Sequence, residues 1–309
     1  MHPTYRALAI PTTLVVLLLA FVPSRVAAEE SARRGHGRVS LAYHYGRGDG
    51  FQSEVFGRLT GATTDSHALD FAVEYNLTNR WTVTAGIPLV MKRAKGDTVG
   101  HNPQLLGTPQ DTRFIDDGKY HTNFQDFRFG MSYLATTTPI RVEPFIEAGL
   151  PSNDYPFFGG AAVGQNLWRV AAGSRFSYRP PLSDFYFSLT AAYVFVEETL
   201  GVNVNHVRFG AEIGHLFNRH LGARVFALGK QGKGLLLDPE NFGDPFPPFS
   251  EEWYHHDQTL KHNYINAGGA IDWFVSPRVQ ITFMGHTGVH HDEMTVVAYA
   301  VSVGISRSF

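Results

Sequence analysis

Cysteine is absent from this 309-residue chain. That excludes a disulfide scaffold, a thiolate metal centre, a cysteine nucleophile and a lipoprotein-type lipid anchor. Charge is scarce as well. Asp, Glu, Lys and Arg make up 17% of the residues, against about 25% in ordinary soluble domains. A formal net charge of −2 leaves no basic footprint for nucleic acid. Beyond the first thirty residues no apolar run reaches the roughly 20 residues that a membrane-spanning helix needs. Aromatics, by contrast, are plentiful at 13%.

The first 28 residues have the layout of a secretory signal. Arg6 sits in a short polar leader, Leu8 to Val22 is mostly apolar, and Val26-Ala27-Ala28 supplies small residues before Glu29-Glu30. Cleavage is expected after Ala28, leaving residues 29–309 as one domain.

That domain shows a period of two, repeated along its length. Leu69, Phe71, Val73, Tyr75 and Leu77 fall on one face, with Ala68, Asp70, Ala72, Glu74 and Asn76 on the other. Trp81, Val83, Ala85, Ile87, Leu89 and Met91 continue the apolar face after a turn at Thr78–Arg80. The pattern recurs to the C-terminus and predicts twelve strands of about 9–13 residues each. Short turns are expected at Thr78–Arg80, Thr136–Pro139, Arg179–Asp184, Asn218–His220 and Val275–Arg278. Longer loops are expected near 47–66, 93–122, 151–164, 197–204, 230–262 and 289–293. An even strand count with short turns on one side and long loops on the other is the pattern of an all-β, transmembrane, antiparallel up-and-down barrel of the bacterial outer membrane.

Three features favour that barrel over a soluble sandwich. The apolar face is almost free of charge. Aromatics such as Tyr75, Trp81, Tyr133, Tyr178, Phe185, Phe217 and Trp273 gather beside the short turns, where a lipid–water boundary suits them. The opposite face carries both signs: Asp70, Glu74, Asp126, Glu143, Glu147, Glu212 and Asp272 against Arg128, Arg141, Arg169, Arg175, Arg208 and Arg224. These thirteen are expected to line the lumen, either neutralising one another or setting a field that selects a solute. Hydrocarbon tolerates no open sheet edge, so the strand at Val39–Tyr45 must pair with the strand at Val297–Phe309. The segment ending in Phe309 resembles the terminal signal read by the outer-membrane barrel assembly machinery, with Arg307 at a position where an apolar residue is frequent.

The loops are rich in histidine. His255-His256 and His290-His291-Asp292 read as solvated loop residues, and no metal site or cofactor is expected. Loop five, Leu235 to Tyr254, carries Pro239, Phe242, Pro245, Phe246, Pro247, Pro248, Phe249, Trp253 and Tyr254. Its composition suits a constriction, a docking patch or a packed extracellular cap.

Phe124-Gln125-Asp126-Phe127-Arg128-Phe129-Gly130-Met131-Ser132-Tyr133 resembles the G-D-l-x-l-G-l-x-Y strand of the outer-membrane transporter family named for the MetA pathway of phenol degradation. Gly149-Leu150-Pro151-Ser152-Asn153-Asp154-Tyr155 resembles that family's l-P-T-G-D-y strand end, with Ser152-Asn153 in place of Thr-Gly. The resemblance implies a barrel that passes small hydrophobic or aromatic compounds and supplies no catalytic residues. Asp126 and Asp154 are the matching polar positions.

The expected function is therefore an outer-membrane channel for small molecules and not an enzyme. The expected partners are the lipid bilayer, the assembly machinery and a small-molecule solute, with no nucleic acid. One alternative is a structural or adhesive barrel with a plugged lumen. A further one is a lipid-acting hydrolase using loop groups such as His121 or Asp126. The residues show no His-x-Ser pair on a lipid-facing strand to carry that chemistry, and Ser66-His67, being adjacent, point to opposite faces.

Overall fold

The computed structural model describes residues 33–96, 115–243 and 250–309. The segment read as a signal, residues 1–28, lies outside them, as do Pro245 to Phe249 of loop five.

The described chain forms one closed antiparallel sheet. Its strands are β1 (Gly37–Ser53), β2 (Gly57–Asn76), β3 (Trp81–Lys95), β4 (His121–Phe124), β5 (Asp126–Tyr133), β6 (Ile140–Pro151), β7 (Arg169–Tyr178), β8 (Phe185–Val196), β9 (His206–Asn218), β10 (Leu221–Gly232), β11 (Asn263–Ser276), β12 (Val279–Asp292) and β13 (Met294–Ser308). β4 and β5 both pair with β3 and act as one wall strand interrupted at Gln125. The break lies opposite Pro88, which has no N–H for the ladder; its carbonyl accepts from the Gln125 N–H at 2.9 Å. The wall therefore has twelve strands, each bonded to its sequence neighbours.

The seam closes as the edge argument requires. Leu41 pairs with Ile305, Tyr43 with Val303 and Tyr45 with Val301. At its foot Gly37 and Phe309 exchange two backbone hydrogen bonds of 3.0 Å. A Cβ on Gly37 would stand 2.7 Å from the Glu74 carbonyl oxygen, besides meeting the Phe309 ring, so glycine lets the strands close there.

The outward face is the apolar one. Leu189 is 57% exposed and Val225 62%, values that in water would be a liability and in lipid are a match. Trp81 to Met91 covers on the order of 33 Å of strand. A tilt near 45° projects that to about 25 Å, the height of a bilayer's apolar band. Aromatics border the short-turn end: the Trp81 and Tyr133 rings lie 4.8 Å apart, and Arg80 donates to the Tyr133 hydroxyl at 2.9 Å. No helix among the described residues is long and apolar enough to cross a membrane.

Two expected loops are mostly strand. β1 and β2 continue as a hairpin paired from Arg47↔Asp65 to Ser53↔Gly57, with a register shift between Asp49 and Phe51 and a turn at residues 54–56. β2 thus has 20 residues, well beyond the expected length. Its outer part, residues 57–66, has only Leu59 and Ala62 as apolar side chains, so it lacks the alternation that marks the wall strands. The last loop likewise shrinks to one residue, Glu293, between β12 and β13.

Candidate functional site: the lumen and its cap

The thirteen charged positions all fall on the inward parity of their strands. Asp70 pairs with Arg128 by a short contact across β2 and β5. Arg141 reaches Glu143 at 2.8 Å, and Arg169 reaches Asp126 at 3.0 Å. Glu147 accepts from Arg175 at 2.8 Å and from Arg208 at 2.5 Å, joining β6 to β7 and β9. Arg224, its side chain only 4% exposed, sits 3.5 Å from Glu212 and 3.6 Å from Asp272. Asp272 also accepts from Gln280 at 2.8 Å and Thr282 at 2.6 Å. Glu74 faces the same way near the short-turn end, opposite Arg38 in the β1–β2 register. Neutralisation is thus the rule inside the wall: a charge taken from water is tolerable only when paired and hydrogen-bonded.

The pairs are not equally dry. Asp70, Glu143, Arg224 and Asp272 are buried. In contrast, the side chains of Arg169 and Arg208 are 40% and 37% exposed, which marks water-accessible space inside the outer half of the barrel.

That space lies under a cap. Residues 152–168, 233–243 and 250–262 fold over the long-loop end, the last two through the short helices α1 (Pro239–Phe242), α2 (Glu251–Tyr254) and α3 (His256–Thr259). Phe51, Phe158, Leu237, Phe242, Trp253 and Leu260 form its apolar core. Asp238 and Ser250 cap α1 and α2 by accepting from the Asn241 and Trp253 N–H groups. Loop backbone has no ladder to join, so buried carboxylates take up its N–H groups. Asp116 accepts from Gly160 at 2.8 Å and Ala161 at 2.7 Å, and Asp257 accepts from Gly159 at 2.8 Å. Glu293 accepts from Glu54 at 2.7 Å and Leu237 at 3.0 Å. The cap meets the wall where the Lys92 ammonium donates to the Ala162 carbonyl at 2.9 Å. Tyr155 reaches down to Asp126 by a short hydrogen bond.

The solvated reading of the loop histidines fails for two of them. His256 is fully buried, stacked on Trp253 at 4.4 Å and 8°, and His291 is buried beside β13, accepting from the Val297 N–H at 3.2 Å. Aromatic packing and backbone partners, neither visible from spacing, hold them. His262 is buried as well, which pushes its imidazole down to about 3, with Lys230 adding repulsion. Burial pushes the Glu293 carboxyl up against the hydrogen bonds that favour its charge. No group of three metal-ligating side chains occurs among the described residues. Asp154 is outside the lumen proper and accepts from Asn166 at 2.8 Å, and His121 pairs with Asp117 at 2.9 Å. Inward aromatics were the least legible feature: Phe145 lies inside the barrel with the Arg175 guanidinium 4.4 Å over its ring.

A closed twelve-stranded wall, apolar outside and ion-paired within, defines an outer-membrane β-barrel. Among solved structures it is similar to the COG4313 outer membrane channel from Pseudomonas putida F1, at 11% identity and a TM-score of 0.65 over 89% of this chain and 96% of that one. It is also similar to the NanC porin, at 9% identity and a TM-score of 0.51 over 87% and 98%. At such identities the likeness is one of fold. No protein-family model matches the sequence, and no curated protein matches it.

Proposed function

We propose that this barrel is an outer-membrane channel for small molecules, with a preference for hydrophobic or aromatic bodies. The observation that carries this reading is the water-accessible interior around Arg169 and Arg208, enclosed by a closed wall and roofed by a cap with an apolar core. A barrel built only for rigidity has no use for half-exposed charges in its centre. The shared fold with a channel and a porin supports passage. The resemblance of Phe124–Tyr133 to the MetA-pathway transporter strand supports the hydrophobic or aromatic preference. In this reading the bilayer and the barrel assembly machinery, the latter through Phe309, are its partners, and the signal at residues 1–28 sends it across the inner membrane.

Single-channel recording on refolded protein tests the proposal. Steady conductance is expected, rising when the cap segment 235–254 is removed. The packed core of the cap favours one competitor, a plugged structural or adhesive barrel. A protein silent both with and without that segment would decide for it.

A further inference from the structure

Three cations of the outer lumen, Arg169, Arg208 and Lys230, stand close together. Arg169 has Asp126 as its acid, and Arg175 and Arg208 share Glu147. Lys230 is the inward residue of β10 that pairs in register with Arg208 of β9. Among the described residues no carboxylate lies within ion-pair distance of its ammonium, and its charged neighbour is Arg169. His206, on the inward face of β9, stands in the field of all three cations. Arg169 and Arg208 thus each reach a carboxylate, whereas Lys230 beside them has none within ion-pair distance among the described residues.

The placement of Arg169 is built in. Its side chain crosses the neighbouring strand at Gly149, where an added Cβ would come within 2.9 Å of Nε and 3.0 Å of Cγ. Glycine at this position thus lets the guanidinium lie flat over β6 and reach Asp126. Beneath Lys230 the same inward row of β10 continues with Leu228 and Phe226, and all three are only half-buried. The Phe226 ring has His286 at its edge, 6.4 Å away. A cationic ceiling thus lies directly over an apolar floor.

We infer that Lys230, with Arg169 and Arg208, forms a binding station inside the lumen for small carboxylates with an apolar body, which Leu228 and Phe226 receive. The inference rests on the lumen being a solute path. An unpaired ammonium inside a barrel is costly unless water or an anion reaches it. A carboxylate gains charge-assisted hydrogen bonds there, while its apolar part leaves water. An uncharged aromatic gains only the second.

Equilibrium binding of radiolabelled benzoate to the whole barrel in lipid nanodiscs tests this directly, without requiring transport. Saturable binding is expected, with benzyl alcohol and acetate at least about tenfold weaker, because each lacks one half of the contact. Lys230→Gln is expected to weaken benzoate by about tenfold or more, and Lys230→Arg by less than about threefold. Lys119→Gln, on an exposed loop, leaves it unchanged. Retained heat-modifiable migration certifies each variant as folded. Should Lys230→Gln fail to fold, the wild type still decides: added salt must weaken benzoate and spare benzyl alcohol. Absence of saturable benzoate binding, benzyl alcohol binding as tightly as benzoate, or a folded Lys230→Gln that binds like wild type would each overturn the station. Conductance is recorded separately. Binding in a non-conducting barrel overturns passage but upholds the station, and conductance without binding does the reverse.

Discussion

The wall and the cap use the same residue types in opposite ways. Leu189 and Val225 on the wall are more than half exposed, whereas Leu237, Phe158 and Trp253 in the cap are at most 3% exposed. The wall turns its apolar side chains outward because its solvent is hydrocarbon. The cap stands in water and buries them, as any globular core does. Polar groups are inverted too. Inside the wall, charges meet charges; inside the cap, carboxylates meet loop N–H groups. The molecule is one sheet with two solvents, and each half is expected to break without the other.

The largest effect is expected from Trp253→Ala. It removes the ring that packs on Phe242 and stacks on His256, at a cost of about 3–5 kcal/mol to the cap. Limited proteolysis is expected to cut residues 233–262 rapidly while heat-modifiable migration of the barrel persists. Loss of both together would show that wall and cap unfold as one unit.

Leu189→Arg acts on the other half. An arginine facing mid-bilayer is expected to cost about 2–4 kcal/mol of barrel stability, read by urea unfolding in lipid. Its inward neighbour supplies the contrast: Thr190→Ser is expected within about 0.5 kcal/mol of wild type. Equal responses at the two positions would remove the assignment of faces.

A smaller effect is expected from pH. Burial holds the His262 ring near 3, so the folded cap refuses a proton that the unfolded chain accepts from about 6.5 downward. Cap stability is therefore whole above that value and is lost as pH falls toward 3. One unit below 6.5 the loss is on the order of 1 kcal/mol. Protease sensitivity of the cap is expected to rise on acidification, and His262→Gln to flatten that rise. An unchanged profile in the variant would assign the acid response to other groups.

The difference between the halves also explains what can be read from the chain. The period of two exposes the wall because each strand faces lipid on one side and the lumen on the other, so alternation is forced residue by residue. The inward charges and the turn positions follow from that constraint, and the pairing of the first strand with the last follows from the need to close the edge. The cap obeys no repeat. Phe51 of β1 and Leu260 of the cap share one core although more than two hundred residues separate them, and nothing local records it. The outer hairpin of β1 and β2 is hidden for another reason: its covered residues include Thr64, Asp65 and Ser66, so polarity does not mark which face is buried. Alternation along β10 puts Lys230 on the inward face, but its lack of a counter-ion is a property of the assembled lumen.

The exchange of hydrogen bonds between Gly37 and Phe309 has a kinetic consequence. Asn218 and Leu221 pair across a two-residue turn, whereas Val39 and Arg307 pair across almost the whole described chain. Between six and seven doublings of loop length separate the two cases, roughly 4 kcal/mol of additional closure entropy. The hairpins therefore form early and the seam forms last. Until it does, β1 and β13 both present unpaired edges of the kind that recruit other chains. The slowest and most aggregation-exposed interval in the life of this barrel is the wait for its final strand to find its first.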